Sequence, residues 1–254
     1  MARILKHILF KLLPWAIPLL LIVFWELFSL NGLIPNTILP APLDVLKTGY
    51  DLLMSGELTE HISISLWRAL IGFLIGGCIG FILGLANGLF KLSDLLFDTS
   101  IQMIRNIPHL ALIPLVILWF GIDETSKIFL VALGVLFPVY INTYHGIRNV
   151  DQKLIEMGRA YGLTGFALFK SVIFPGALSS ILVGIRFSLG VMWLTLIVAE
   201  TISAHTGIGF MAMNAREFMQ MDIIVLSIVL YALFGKLSDV IARYCENRWL
   251  KWNM

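Results

Sequence analysis

Six apolar stretches, each about long enough to cross a bilayer, constrain the fold of this chain more than any other feature. They lie near residues 12–30, 66–89, 107–120, 128–144, 181–202 and 223–242. Backbone N–H and C=O groups find no water inside lipid, so such stretches fold as helices that satisfy their own hydrogen bonds. We therefore predict an all-α fold, a polytopic membrane helical bundle with six transmembrane helices.

Composition supports this fold class and excludes others. Hydrophobic residues make up 59% of the chain and charged residues 13%, and the mean hydropathy is +0.90. Ordinary soluble domains have about 45–50% apolar and about 25% charged residues. Six spans with their connections use up the 254 residues, which leaves no room for a soluble catalytic domain. The net charge of +2 is too small to indicate a nucleic-acid partner.

The second and third stretches carry further predictions. A neighbouring helix can approach closely along a glycine stripe in the second, although such a face can also line a transport path. The stripe consists of Gly72, Gly76, Gly77, Gly80, Gly84 and Gly88. The third stretch is long enough to span if it begins near Ile101 and includes Arg105. Pro108 and Pro114 predict that this helix is kinked.

The N-terminal region predicts a retained first helix. Its apolar run follows three basic residues, is too long for a signal-peptide core and lacks a small-residue cleavage site. Between the first two spans, residues 31–65 contain three prolines and an amphipathic stretch over 43–54. That stretch either lies along the interface as part of a landing surface or simply connects two spans. Cys78 and Cys245 lack metal or redox spacing, so we expect neither a disulfide nor a metal site.

The distribution of Lys and Arg predicts the orientation. With a cytoplasmic N-terminus, fourteen of the 18 basic residues fall inside, and the outer set is only Lys47, Arg68, Lys127 and Arg216. This bias and the even number of spans predict that both termini are cytoplasmic. The longest polar interruption, residues 151–175, is then cytoplasmic too.

The segment 151–175, called the coupling segment below, begins with a predicted helix capped by Asp151. One face of this helix carries Leu154, Met157, Gly158 and Tyr161. Gly162 predicts its left-handed end. The pattern indicates a docking element for a soluble partner, and the alternative is an ordinary interhelical loop.

A second helix is predicted after Gly162. Thr164 is its expected cap, and Phe166, Phe169 and Val172 lie along it. Pro175 predicts that Phe174 is extended before the fifth span begins.

The coupling segment resembles the cytoplasmic loop of permeases in ATP-binding cassette (ABC) importers, patterned Glu-Ala-Ala, three residues, Gly, nine residues, then Ile, any residue, Leu, Pro. The chain matches at Glu156, Gly162 and Pro175, and Val172 and Phe174 replace Ile and Leu. It departs from the pattern at Met157 and Gly158, where the family has alanines.

The resemblance extends over nearly the whole chain. It includes ILPAP at 38–42, RNIPHLALIPLVILWFGIDETSK at 105–127, INTYHGIRNVD at 141–151 and AETISAHTGIGFMAMNAREF at 199–218. These segments are similar to permeases of the nitrate, taurine and sulfonate group, and most of all to those for aliphatic sulfonates. Taurine and nitrate are the alternative cargoes.

The resemblance implies a type I ABC importer permease fold in the bacterial cytoplasmic (inner) membrane. It divides the chain into a first helix with its outer segment (1–58), a permease core (59–243, with the cytoplasmic loop at 145–180) and a tail (244–254). ATPase coupling is expected of Glu156, Met157, Gly158, Tyr161, Gly162, Val172 and Pro175. The implied partners are a second copy of the chain, two ATP-binding cassette ATPases, an outer substrate-binding protein and membrane lipid. The chain itself is expected to bind no cofactor, and ATP is bound by the ATPase.

An anionic cargo needs a path with donors or positive charge. Candidates at the third and fourth spans are Arg105, Asn106, His109 and Asn142. Arg105 can instead be an interfacial anchor, and His109 a packed, hydrogen-bonded histidine.

The carboxylates deepest in the predicted spans are Glu26 and Glu200. Glu200 is also placed on the path, as a structural or gating residue hydrogen-bonded within the bundle. Arg186, fourteen positions earlier on the same helix, is too far away to be its direct partner. Lys236 and Asp239 are expected to pair at i, i+3.

Other function classes are less consistent with the sequence. It has no GxxxxGK[ST] phosphate loop, so ATP hydrolysis is expected on another chain. It has no HExxH or GxSxG motif either, which argues against an intramembrane hydrolase. We therefore expect a transport protein and not an enzyme. An ion channel or secondary carrier remains an alternative, and neither would need an ATPase groove.

Overall fold

A computed structural model describes the backbone of residues 2–250 and the side chains of residue 13 and residues 15–250. The side chains of Arg3, Lys6, Lys11 and Lys251, which contribute to the charge bias, lie outside the described residues. Every regular element in this part of the chain is helical. The helices are α1 (Ala2–Leu30), α2 (Pro42–Ser55), α3 (Glu57–Leu89), α4 (Lys91–Arg105), α5 (Ile113–Phe120), α6 (Glu124–Arg148), α7 (Gln152–Ala160), α8 (Gly165–Leu168), α9 (Phe174–Ser203), α10 (Ile208–Glu217) and α11 (Met221–Trp249).

Four helical stretches within the described residues are long and apolar enough to cross a membrane. They are α3, α6, α11 and the continuous stretch Gly165–Ser203 that contains α8 and α9. A fifth span results if α4 and the segment His109–Phe120 are counted together. The described apolar part of α1, Trp15–Leu30, is shorter than these spans. The all-α membrane fold is confirmed, whereas the count of six spans stays a prediction.

The third predicted span is broken rather than kinked. We expected it to begin near Ile101, but α4 begins at Lys91, and the chain bends by 80° between α4 and the segment that follows. A 3₁₀ turn over His109–Leu112 precedes α5. Pro108 explains the position of the break, since proline lacks the N–H that would continue the helix and keeps the preceding residue out of helical conformation. Pro114 lies in the first turn of α5, where proline is tolerated.

The glycine stripe of α3 is a packing face against α6. A Cβ atom added to Gly76 would lie 2.1 Å from the carbonyl oxygen of Ala132, and one on Gly80 would lie 2.4 Å from that of Leu136. At Gly84 the nearest atom would be the Cβ of Thr143, at 2.7 Å. Only glycine permits this approach of the two backbones, which agrees with the packing interpretation of the stripe.

The chain forms two compact units, of which the first comprises residues 1–61 and 211–229. Helix α2 confirms the predicted amphipathic helix over 43–54. Its first turn is linked to α1, because the Leu43 backbone N–H donates to Glu26 (3.3 Å). Thr48 donates a 2.7 Å hydrogen bond to Asp222 at the start of α11. These bonds join α2 to both neighbouring helices of its unit.

The second unit comprises residues 62–210 and 230–254 and contains the coupling segment. Our prediction that Pro175 leaves Phe174 extended is wrong, because Phe174 is helical (φ −63°, ψ −47°) and begins α9. A π-helical stretch over Phe169–Ile173 lies immediately before the proline. A π-turn shifts the hydrogen-bond register by one residue, so the missing N–H of Pro175 is accommodated without ending the helix.

Candidate functional site

Helix α7 of the coupling segment forms as predicted at both ends. The Asp151 carboxylate accepts a 2.9 Å hydrogen bond from the Lys153 backbone N–H. At the other end Gly162 has φ +81°, its N–H bonds to the Arg159 carbonyl (2.9 Å), and the Leu163 N–H bonds to the Gly158 carbonyl (3.0 Å). This pair of bonds around a left-handed glycine is a Schellman motif. The helix therefore has a fixed length of about two and a half turns.

The two sides of α7 differ in their contacts. Leu154, Met157 and Tyr161 are exposed, Tyr161 to 82%. Gly158, which the predicted spacing places at the edge of the same face, differs from them in burial. It is buried, and an added Cβ would lie 2.8 Å from Leu168 and 3.1 Å from Val172. Gly158 therefore permits close contact with the following helix, while the exposed residues form an apolar surface, called the α7 knob below.

Both parts of the coupling segment are anchored to the bundle. The core cluster of Ile147, Val150, Ala177 and Ile181 has Ile155, Ile173 and Phe174 packed against it. Glu156 is exposed on α7, and Val172 and Pro175 are partly buried. Thr164 is extended at the predicted cap, but its side chain forms no capping hydrogen bond. The α7 knob thus lies on a segment whose other side is part of the hydrophobic core.

An ionic cluster, which we call the Arg68 cluster, links α3, α6 and α9; it is buried except at Glu124, whose side chain is 55% exposed. The Arg68 side chain is fully buried and donates to both oxygens of Glu124 (2.5 and 2.7 Å) and to Glu200 (2.8 Å). Its remaining contacts are the carbonyl and hydroxyl oxygens of Thr206 (2.6 and 3.2 Å). Every guanidinium nitrogen is thus hydrogen-bonded, which leaves no donor for an additional anion.

Glu200 is also fully buried and fully bonded. It accepts hydrogen bonds from Ser65 (2.8 and 2.9 Å), the Gly209 N–H (2.9 Å) and the Tyr231 hydroxyl (3.0 Å). Gly207 packs against the pair with φ +114°, and a Cβ there would lie 2.5 Å from a Glu200 oxygen. The predicted hydrogen bonding of Glu200 within the bundle agrees with this geometry.

Arg68 is the partner of Glu200, a pairing that was not predicted. Arg68 and Lys127, both assigned to the outer side by charge, are buried, and Lys127 donates to Glu124 (3.1 Å). A usable signal was present, since an arginine and a glutamate both lay inside apolar stretches, where ionisable residues usually pair.

Arg186 does not pair with Glu200 of its own helix, and its ion pair is with a residue of α11. Its partner is Asp239 (2.6 Å), which also contacts Lys236 (3.6 Å) and Arg243 (3.0 Å). The predicted pair of Lys236 and Asp239 is therefore present, within a larger cluster between α9 and α11.

The structure brings three of the predicted path residues together around one cavity of about 290 Å³, called the Arg105 cavity. Its polar lining consists of Arg105, His109 and Asn142, and its apolar lining includes Phe137, Ile141, Phe187 and Val191. Asn106 follows Arg105 at the end of α4 but does not line the cavity. Glu200 is held in the Arg68 cluster instead.

The polar groups of the Arg105 cavity are held differently. His109 is hydrogen-bonded through Nε2 to Thr195 (3.1 Å), as the packed-histidine alternative expected, and it also lines the cavity. The Asn142 amide donates to the Pro138 carbonyl (2.9 Å). Arg105 is exposed and forms no ion pair with any side chain in the described part of the chain.

Both cysteines are free, and the described residues contain no group of three or more His, Cys, Asp or Glu side chains that could hold a metal ion.

Comparisons with known proteins give one consistent family. A model described as "Binding-protein-dependent transport system inner membrane component" matches residues 76–251. The chain is 61% identical to the aliphatic sulfonates transport permease protein SsuC of Escherichia coli K12, over all of this chain and 96% of that protein. It is 35% identical to the taurine transport system permease protein TauC of the same organism, over 94% of this chain and 88% of that protein.

A solved structure shows the same fold. The crystal structure of an amino acid ABC transporter superposes with a TM-score of 0.59 at 20% sequence identity. The match covers 78% of this chain and 96% of that one.

Proposed function

The chain belongs to the family of binding-protein-dependent transport system inner membrane components, and on that premise we propose that it is the permease of an ATP-driven importer of aliphatic sulfonates. The sulfonate permease is much more similar to this chain than the taurine permease, which favours a sulfonate over taurine as the cargo. The relatives found are transport proteins, and the chain is a membrane permease rather than an enzyme.

The α7 knob is the observation that supports coupling to an ATPase. Tyr161 is 82% exposed and Met157 50% exposed, on a helix of fixed length whose other side packs against the bundle core. Exposed apolar side chains that form a patch on a polar segment are typical of a protein interaction site. We assign this surface to the groove of an ATP-binding cassette ATPase that supplies the ATP.

The assembly we propose contains two copies of this chain, two ATPases below and a substrate-binding protein on the outer face. ATP-driven movement of the ATPases displaces α7. The displacement reaches α6 and α9 through the cluster around Ile147 and Ile181, which Ile155 of α7 touches. The permease core then alternates between outward- and inward-facing states, with both termini in the cytoplasm.

Co-purification with the ATPase and uptake of sulfonate test this proposal together. The tagged chain is co-expressed with a candidate ATPase and binding protein from the same genome, in a strain without its own sulfonate importer. We expect the ATPase to co-purify and the strain to grow on an alkanesulfonate as the only sulfur source. Tyr161→Ala should remove most of the bound ATPase, whereas Gln152→Ala, in the first turn of the same helix, should retain it.

Two results would count against the proposal. Sulfonate uptake without any ATPase in the membrane would indicate a secondary carrier. Normal growth of a strain that lacks this chain, with no other importer present, would remove the assignment of sulfonate as the cargo.

A further inference from the structure

We infer that the Arg105 cavity is a substrate-binding site inside the permease, in which Arg105 holds the sulfonate group and the wall formed by Phe137, Ile141 and Phe187 holds the alkyl chain. This inference rests on the proposed sulfonate transport and extends it. It gives the permease its own selection step, separate from that of the binding protein.

The charge of the cavity fits an anion. A sulfonate bears its negative charge on three oxygens at every physiological pH, and a planar guanidinium binds such a group through two parallel hydrogen bonds. Arg105 forms no ion pair with the described side chains, so its donors are free for a ligand. No carboxylate lines the cavity.

Two neighbouring cavities do not combine an arginine free of ion pairs with a lining that has no carboxylate. The one beside Gly190 and Gly235 contains Arg186, but Asp239 lines it as well and pairs with that arginine at 2.6 Å. The cavity between Leu110 and Ile202 is lined by apolar residues and has no cation. In the Arg68 cluster all the guanidinium donors are occupied, as described above.

The remaining lining fits an amphiphile rather than a small inorganic anion. Phe187 is 63% exposed on α9, and Phe137 and Ile141 lie one helical turn apart on α6. The cavity volume of about 290 Å³ leaves space for several methylenes beyond the sulfonate group. An apolar wall favours an alkyl tail and disfavours the ammonium tail of taurine, which would lose its hydration there without a carboxylate partner. Selection by chain length follows from this lining.

Reconstituted transport separates this site from the binding protein. The full complex is placed in proteoliposomes, and uptake of radiolabelled ethane-, butane- and hexanesulfonate is measured at saturating loaded binding protein, so that rate differences arise in the permease. We expect Arg105→Gln to lower uptake of all three by about ten- to a hundredfold, the value of a charged hydrogen bond. Arg105→Lys should recover part of the rate. Arg248→Gln removes a charge that is also exposed, at the end of α11, and should transport normally.

Phe187→Ala is an independent test that leaves the charge in place. We expect this substitution to lower the uptake rate of hexanesulfonate much more than that of ethanesulfonate. The rate should fall at most about fourfold for each methylene that loses its contact with Phe187. Leu194→Ala, two turns further along α9 and outside the cavity, should not alter the ratio.

The outcomes are distinguishable. If the unsubstituted complex transports no sulfonate, the proposed function fails. If it transports sulfonate and Arg105→Gln does so at the same rate, or if chain-length preference is unchanged in Phe187→Ala, the proposed function stands and the site in the Arg105 cavity is overturned. Should Arg105→Gln assemble poorly, as judged by gel filtration, the Phe187→Ala ratio decides alone.

Discussion

At the scale of single residues, the Arg68 cluster places three charges where solvent does not reach. Arg68 and Glu200 are fully buried, and Lys127 is 2% exposed. Taking charges out of water is costly, and the cost is recovered only where every donor and acceptor is bonded. Arg68 and Glu200 satisfy that condition, and Lys127 bonds to Glu124 and to the Ile122 carbonyl, so the cluster joins three helices as long as all its members are present.

Removing one member should be strongly destabilising. Glu200→Ala leaves Arg68 buried with one ionic partner fewer, and breaking a buried pair in this way costs about 3–5 kcal/mol. We expect a large fall in the thermal unfolding midpoint of the detergent-purified protein. Glu217→Ala, which removes an exposed acid of α10, is the control. Equal midpoints for the two variants would contradict the role given to the cluster.

Contacts between neighbouring residues could be predicted from the sequence, whereas contacts made by helix packing could not. The cap of Asp151 and the left-handed Gly162 are local, and both were predicted correctly. The pairing of Arg68 with Glu200 joins residues 132 positions apart. The sequence indicated that Glu200 needs a partner, but which cation reaches it is decided by helix packing, which no local pattern contains.

At the scale of helices, the contact of α3 with α6 depends on the absence of side chains. Gly76 and its neighbour Gly77 provide a matched pair of positions, because an added Cβ would lie 2.1 Å from a carbonyl oxygen at Gly76 but 4.0 Å from the nearest atom at Gly77. The two positions share the same helix and the same membrane depth.

Alanine should therefore have opposite effects at these two sites. Gly76→Ala forces the two helices apart, and overpacking of this kind typically costs about 1–3 kcal/mol. Gly77→Ala should be neutral or stabilising, by up to about 1 kcal/mol, because alanine favours the helix. Unfolding midpoints and the yield of monodisperse protein measure the difference, and a loss of the same size in both variants would disprove close packing at Gly76.

The end of α7 allows a test of its backbone conformation alone. Gly162 has φ +81° and no atom within 4 Å of an added Cβ, whereas Gly190 has equally open space within regular α9. Gly162→Ala should cost about 1–2 kcal/mol, because a Cβ disfavours the left-handed conformation. We expect this change to weaken ATPase binding and Gly190→Ala to leave it intact. The amount of ATPase retained per tagged chain is the measurement.

Element boundaries show where sequence rules were insufficient. We expected Pro108 to kink a helix and Pro175 to interrupt one, yet the chain breaks at Pro108 and continues as a helix through Pro175. The difference lies in the neighbouring residues. The π-helical stretch before Pro175 shifts the hydrogen-bond register by one residue, so the helix continues although Pro175 has no N–H to donate. Whether a chain adopts that alternative depends on packing on both sides of it, as around Phe174.

At the scale of the whole molecule, the proposed orientation is testable by labelling. With Cys78 and Cys245 replaced by serine, a single cysteine introduced at Gln152 should react with a membrane-impermeant maleimide only in inverted vesicles. A cysteine at Thr37, in the predicted outer segment, should react only in right-side-out cells. Reversed reactivity would contradict cytoplasmic termini and the assignment of α7 to an ATPase.

The exposed apolar surface of α7 also affects how the protein is maintained in a cell. Met157 and Tyr161 face water on this chain alone, and Phe166 on the adjoining helix is 76% exposed. A newly made copy that meets no ATPase therefore displays a feature that chaperones and quality-control proteases recognise in unassembled subunits. Under the proposed assembly, we therefore expect the abundance of the permease to follow the synthesis of its ATPase.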